Sequence, residues 1–300
     1  MKRTLLILIG ILVGVFILLT ALDMKGEYAA EKAIHKINKK FAKIKDDPLA
    51  TPEARYAEVI GNYKKFIERF PDSRVTPFAH ILIGRTYLLK KDYAMARSTF
   101  ERVVQQYDDT PNLAAQGLLE MATTYSEEKD VSGVIRVYSK IMTDYPLTEQ
   151  GLKAPLTLAR IQSSESSNEQ REAVYANTIS HYRTLAQQHV QTPIGFKALH
   201  YVAVCQLDQQ HWAAAVSAYS DILFSYSQPQ YLNGVLAEII LRSINTISVG
   251  RLNDFDTPVR IYNQFIQQYP DHPLVPNLKL MIQGLESLKN QQMKKAATPS

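Results

Sequence analysis

The chain has one cysteine, Cys205, in 300 residues. A single thiol forbids a disulfide within the chain and argues against a cysteine-based zinc site. It lies in the apolar run Tyr201-Val202-Ala203-Val204-Cys205, where a thiol acts as a small core hydrophobe. Glycine and proline are also sparse, at 12 and 14 residues, against 46% hydrophobic residues. That balance excludes a wholly disordered or collagen-like chain and allows a packed core. No G-x-S-x-G, H-E-x-x-H, P-loop or dinucleotide fingerprint occurs. The seven histidines are scattered, and the pairs Asp46-Asp47, Asp108-Asp109 and Glu127-Glu128 fall at helix ends or turns, as solvated groups do. The expectation is therefore no catalytic residue, no metal, no cofactor and no enzymatic activity.

The formal charge of +5 is concentrated at one end. Between Met24 and Lys45 stand Lys25, Lys32, Lys36, Lys39, Lys40, Lys43 and Lys45, opposed there only by Glu27 and Glu31. Just before them, Thr4 to Leu22 reads TLLILIGILVGVFILLTAL, nineteen residues without a charge. As a helix this run spans about 28 Å, close to the roughly 30 Å of a hydrocarbon core. It is longer than the apolar stretch of a secretory signal, no cysteine follows it for lipidation, and Leu19 is a poor residue three positions before a cleavage point. The segment is read as an uncleaved signal anchor in the inner (cytoplasmic) membrane. Basic residues beside a bilayer meet anionic head groups, so lipid is expected as the partner of the lysines, and nucleic acid is not. Flanking charge on both sides leaves orientation open; the short basic start at Lys2-Arg3 favours repeats outside the cytoplasm, that is, periplasmic.

Beyond the lysines the sequence repeats. Aromatic residues end helical runs at Phe70, Tyr107, Tyr145, Tyr226 and Tyr269, with His189 as the odd member. Seven residues before these six anchors stand Tyr63, Phe100, Tyr138, Tyr182, Tyr219 and Tyr262, all aromatic in a chain that is 9% aromatic. Fourteen before stand Tyr56, Tyr93, Val131, Tyr175, Trp212 and Phe255, and apolar pairs fill positions −4 and −3. These offsets share one stripe of a helix. A second amphipathic helix precedes most of them, as in Thr76–Lys90, Leu113–Glu128 and Gly195–Gln209, with Gly84, Ala122 and Ala203 as small residues that allow close approach. Anchor spacings are 37, 38, 44, 37 and 43 residues. The two long intervals point to insertions at Ser163–Asn168 and at Gly250–Asp254, both in the turn inside a helix pair.

The segment Gly84-x2-Tyr87-x4-Lys91-Asp92-Tyr93-x2-Ala96-x3-Phe100 resembles the tetratricopeptide repeat family. The Tyr-Pro and Phe-Pro endings look like its bacterial envelope members, namely the outer-membrane assembly lipoprotein, Tol–Pal-associated and translocon-associated types, here without a lipobox cysteine. The resemblance implies an all-α, right-handed superhelical solenoid after an N-terminal transmembrane helix. The expected layout is a short cytoplasmic N-terminus (1–3), the anchor (4–22), and a basic amphipathic juxtamembrane helix and linker (23–50). About six repeats with a C-terminal capping helix follow (51–292), then a disordered tail (293–300). In the juxtamembrane segment Ala30, Ile34, Ile37, Phe41 and Ile44 form an apolar stripe. It suits packing on the first repeat, lying on the bilayer, or a short coiled-coil seam.

In this family the first helix of each pair lines a concave groove for protein partners. The resemblance places Phe78, Ile81, Arg85, Gln116, Thr123, Lys197 and His200 toward it. The function it implies is a membrane-anchored scaffold or adaptor for protein–protein interactions at the bacterial cell envelope. The alternatives are a chaperone-like accessory of the secretion or outer-membrane assembly machinery, and a non-catalytic subunit of a membrane enzyme complex.

Overall fold

The structure, a computed structural model, describes residues 26–297 apart from Glu165, Pro229 and Asn233. The expected anchor at 4–22 lies outside the described residues, as does the end of the tail. Among the described residues there are thirteen helices and no strand, and no helix is long and apolar enough to cross a membrane. They form six antiparallel pairs and a last single helix. The pairs are α1 (Glu27–Asp46) with α2 (Glu53–Arg69), α3 (Thr76–Leu89) with α4 (Tyr93–Gln106), and α5 (Pro111–Glu127) with α6 (Val131–Asp144). Then come α7 (Glu149–Ser163) with α8 (Asn168–Gln188), α9 (Pro193–Asp208) with α10 (Trp212–Ser225), and α11 (Gly234–Leu252) with α12 (Asp256–Gln268); α13 (Val275–Ala297) is the single helix. The chain divides into two compact units, 1–154 and 155–300, and the division falls inside α7 at Pro155.

Two recurring turns explain why the pairs form. Within the second, third and fifth pairs the first helix ends in a left-handed residue, Lys91, Lys129 and Gln210, at φ near 60°. The next amide reaches back to close the helix: Asp92 N–H to the Tyr87 carbonyl, Asp130 N–H to Tyr125 and His211 N–H to Gln206, each at 2.9 Å. This is the Schellman closure, here without glycine at the left-handed position. Asp92 and Asp130 then cap the second helix by accepting from Met95 N–H and Gly133 N–H.

Between pairs the six anchors of the sequence repeat act alike. Each is the residue that ends its helix, with its N–H donated to the carbonyl four residues back. In five of the six junctions the anchor carbonyl accepts from the residue three further on: Ser73, Thr110, Thr148, Thr192 and His272. The exception is Tyr226, which opens the longer connector to α11.

Packing follows the −7 aromatics. Tyr63, Phe100, Tyr182 and Tyr262 are fully buried and Tyr219 nearly so, and the hydroxyls of Tyr63, Tyr182 and Tyr262 find partners on the first helix of their own pair. Tyr63 Oη donates to Asn38 Oδ1 at 2.8 Å. Tyr182 Oη accepts from Leu156 N–H at 3.1 Å. Tyr262 Oη reaches the Leu241 carbonyl at 3.2 Å and Asn245 Oδ1 at 2.8 Å. In the second pair the partner of the ring is an absence of side chain: a Cβ on Gly84 would stand 2.3 Å from Phe100 Cε1.

Several expectations change. The apolar stripe of α1 packs on the first repeat: Ala30, Ile34, Ile37 and Ile44 are buried with Tyr56, Val59, Tyr63 and Phe66 of α2 and with Ala79 and Ile83 of α3. Helix α1 is thus the first member of the first pair, and the segment expected as a linker up to residue 50 belongs to the array. The fourth pair has its polar connector, with Ser167 and Gln170 forming a reciprocal cap on α8. The sixth does not loop over Gly250–Asp254 as expected, because α11 stays helical through Leu252; its extra residues lengthen that helix and the connector before it. Val131, expected on the buried stripe, is the first residue of α6 and is 57% exposed.

Replacing Tyr262 by Phe strands Asn245 Oδ1 without its donor. It should lower stability by about 1–3 kcal/mol, read as a lower urea midpoint at unchanged slope.

Candidate protein-binding face

Within the first unit, consecutive first helices lie side by side: α1 packs on α3 and α3 on α5, and packing of that extent is not found among the second helices α2, α4 and α6. A row whose first helices are close and whose second helices are spread curves toward the first-helix side. That face carries several of the expected contact residues.

Its centre is Glu120 on α5, a carboxylate only 7% exposed. Arg85 of α3 donates from Nη2 to Glu120 Oε1 at 2.5 Å, and Gln116, one turn earlier on α5, donates from Nε2 to the same oxygen at 2.7 Å. Gln150 of α7 continues the row by donating from Nε2 to Gln116 Oε1 at 3.1 Å. The hydrogen bond to Glu120 holds the Arg85 guanidinium above its ordinary pKa. One acceptor is left over: Gln150 Oε1 is buried and has no partner among the described residues. Two turns before Arg85 the Phe78 ring is 54% exposed, on the same helical face. Thr123 is exposed and donates to the Leu119 carbonyl at 3.1 Å.

Four of the seven expected contact residues therefore lie on or beside one polar row: Phe78, Arg85, Gln116 and Thr123. Ile81 is corrected. It is 3% exposed and packs with Ala96, Phe100 and Val103 as core, because its position on α3 faces α4. Lys197 and His200 lie on α9 in the second unit. Lys197 is exposed, and His200 is half-buried, its ring about 6 Å from those of Tyr201 and Tyr219. Sequence reasoning missed Glu120 and Gln150. The spacing of Gln116 and Glu120, one helical turn, was visible, but their joint pairing with Arg85 depends on how closely α3 and α5 approach.

On the second-helix side of the same unit, a groove of about 930 Å³ runs between α4, α5 and α6. Tyr125 at its wall is covered by Arg97 and Arg136, whose guanidinium carbons lie 4.8 and 5.3 Å from the ring centre. Tyr145 Oη closes one end on Asp108 at 2.7 Å. These contacts, with the ion pair of Lys140 and Asp144, give Arg97, Arg136, Asp108, Lys140 and Asp144 neighbours within the fold. Among the described residues no group of His, Cys, Asp and Glu is placed to hold a metal ion. Burial pushes the Cys205 thiol up to about 12, which leaves it protonated and unreactive at neutral pH.

Residues 79–110 match the family model for the tetratricopeptide repeat. The matched stretch holds α3 from Ala79 onward, all of α4 and the wedge of Phe100 on Gly84. No curated protein matches the chain in sequence. Among solved structures, one similar to it is the TPR2AB-domain:pHSP90-complex of yeast Sti1. That chain is 13% identical, the match covers 87% of this chain and 100% of that one, and the TM-score is 0.34. Another is BtubC (BKLC) from P. vanneervenii, 10% identical over 93% of this chain and 94% of that one, with a TM-score of 0.38.

Burial also sets a pH dependence. It lowers the imidazole pKa of His80, His181, His200 and His272 below the ordinary 6.5, and His80 Nε2 is buried without a hydrogen-bond partner among the described residues. Between the folded and unfolded values the unfolded chain binds more protons, so stability rises with pH there. It is full above 6.5 and is lost as pH falls through that value. Urea unfolding at pH 7.5 and 5.5 should show the drop, and His80→Gln should make it shallower.

Proposed function

We propose that the chain is a scaffold tethered to the cytoplasmic membrane that holds a protein partner on the first-helix face of its tetratricopeptide pairs, without catalysis of its own. The observation that carries this is the row Arg85–Glu120–Gln116–Gln150 beside the exposed Phe78 ring. The row is held by its own hydrogen bonds, and it keeps one buried acceptor, Gln150 Oε1, for which the described residues supply no donor. A stranded acceptor of that kind costs free energy unless a donor arrives. A backbone N–H of an extended partner segment is such a donor, and Phe78 offers apolar area beside it.

The tether reading is supported by the nineteen uncharged residues from Thr4 to Leu22 and the lysines that follow. The basic start before that run favours repeats on the outer side of the membrane, at the cell envelope.

The test is affinity capture of the full-length chain from detergent-solubilised membranes, beside the Phe78→Ala/Gln116→Ala variant. One stoichiometric partner, weakened about tenfold or more in the variant, is the expected outcome. Many substoichiometric clients would support the chaperone-like alternative instead. Undiminished capture by the variant would remove the first-helix face from the account. A phosphatase fused to the C-terminus should be active outside the cytoplasm, and an inactive fusion would reverse the orientation.

A further inference from the structure

The groove between α1 and α2 differs in charge from the face just described. About 580 Å³ in volume, it is lined by Lys32, Lys36 and Lys40 from α1 and by Lys65 and Arg69 from α2, with no carboxylate among its lining residues. The three α1 lysines are spaced by four residues and so stand on one stripe, as do Lys65 and Arg69 on α2. Lys40 is bound to Glu58 at 2.7 Å. Lys32, Lys36 and Lys65 have no ion-pair partner among the described residues. The floor is apolar, from Phe66 and Phe70.

A second, independent feature points the same way. Asn62 lines the groove, and its Nδ2 is shut off from solvent with no acceptor among the described residues. Unpaired cations around a buried, unused N–H donor describe a site for an anion with several acceptor oxygens. Lysines give point charge without the planar fork that arginine presents to a carboxylate. That chemistry suits a phosphate.

The place of the groove chooses the source of the phosphate. Only four residues, Asp23 to Gly26, separate the end of the apolar run at Leu22 from the start of α1 at Glu27. Four residues reach at most about 14 Å, so the start of α1 stays within a short distance of the surface where that run would enter a bilayer. Tyr28, in the first turn of α1 and on the rim of the groove, is 65% exposed, and an amphipathic ring suits the head-group level.

We propose that this groove binds the phosphate head group of an anionic phospholipid in the anchoring bilayer, with Lys32, Lys36 and Lys65 around the phosphate and the Asn62 amide donating to one of its oxygens. The proposal rests on the membrane reading above. It deepens that reading from a general attraction of basic residues to a two-helix site that orients the repeat array by its first pair. Residues Lys65, Arg69 and Asn62 lie outside the lysine-rich stretch, and only the fold brings them to it.

The test uses the full-length chain in a nonionic detergent, with lipid binding measured by native mass spectrometry. The probes are phosphatidylglycerol, phosphatidylcholine and free glycerol phosphate. Phosphatidylglycerol should bind in preference to the other two. The Lys36→Gln/Lys65→Gln variant should bind it about 30-fold more weakly, at about fivefold per lysine. Asn62→Asp, which keeps every lysine but puts a carboxylate in the groove, should also weaken it. A charge-matched control, Arg171→Gln/Lys279→Gln in the second unit, should bind as the wild type does, and thermal melts confirm that each variant is folded.

Equal binding of phosphatidylcholine, equal loss in the control, or glycerol phosphate binding as tightly as the lipid would each overturn the proposal. Alkaline extraction of native membranes reports the tether separately. A wild-type chain released by alkali would sink the anchor reading, while the detergent measurement would still decide the groove.

Discussion

The fold of the first unit hangs on a close approach between a ring and a bare backbone. Phe100 is fully buried, and the space a Cβ at residue 84 would need is already filled by its ring. That approach sets how near α4 lies to α3. Gly117 repeats the arrangement one step along, where an added Cβ would meet Val104 and Val103 side chains and the Phe100 carbonyl at 3.0–3.3 Å. Interiors are close-packed, so such distances propagate rather than relax. The spacing of α3 and α5 that lets Arg85 reach Glu120 is a consequence of these contacts.

Much of this could be read from residues. The seven-residue offset from each anchor predicted which aromatic would be buried, and the structure buries five of the six deeply, Tyr138 being half-buried. Helix pairs and their breakers were legible for a physical reason: a stripe with a 3.6-residue period has to face something. The lengths of the interruptions were less legible. The extra residues of the sixth interval looked like a loop at Gly250–Asp254, yet burial of Ile247 and Ser248 carries α11 on to Leu252 through a stretch of weak helix formers. The stripe of α1 was visible too, but periodicity alone cannot say whether an apolar stripe meets a bilayer, a second copy or the next helix.

The candidate face divides in the same way. Alignment on the repeat pattern that the sequence resembles was enough to nominate Phe78, Arg85 and Gln116. It also nominated Ile81, three residues on from Phe78, because neighbouring positions on one helix part company only when the partner helix is known. Glu120 was overlooked since an acidic residue on a helix usually meets solvent, and here it is the shared acceptor that gives the row its rigidity. The groove between α1 and α2 shows the reverse case. Its lysines were conspicuous in the sequence, but the groove exists only because α1 packs on the first repeat. One end of the first unit thus carries unpaired positive charge, and the first-helix face carries charges already matched.

A double-mutant cycle on Gly84→Ala and Phe100→Leu, followed by urea unfolding, tests the central claim most directly. With Phe100 in place, Gly84→Ala should cost about 1–3 kcal/mol by overpacking. In the Phe100→Leu background most of that cost should vanish, because the ring atoms it clashes with are gone, giving a coupling of about 0.5–3 kcal/mol. Additive costs would contradict the account, since they would mean that the approach of ring to backbone does not hold the pair together.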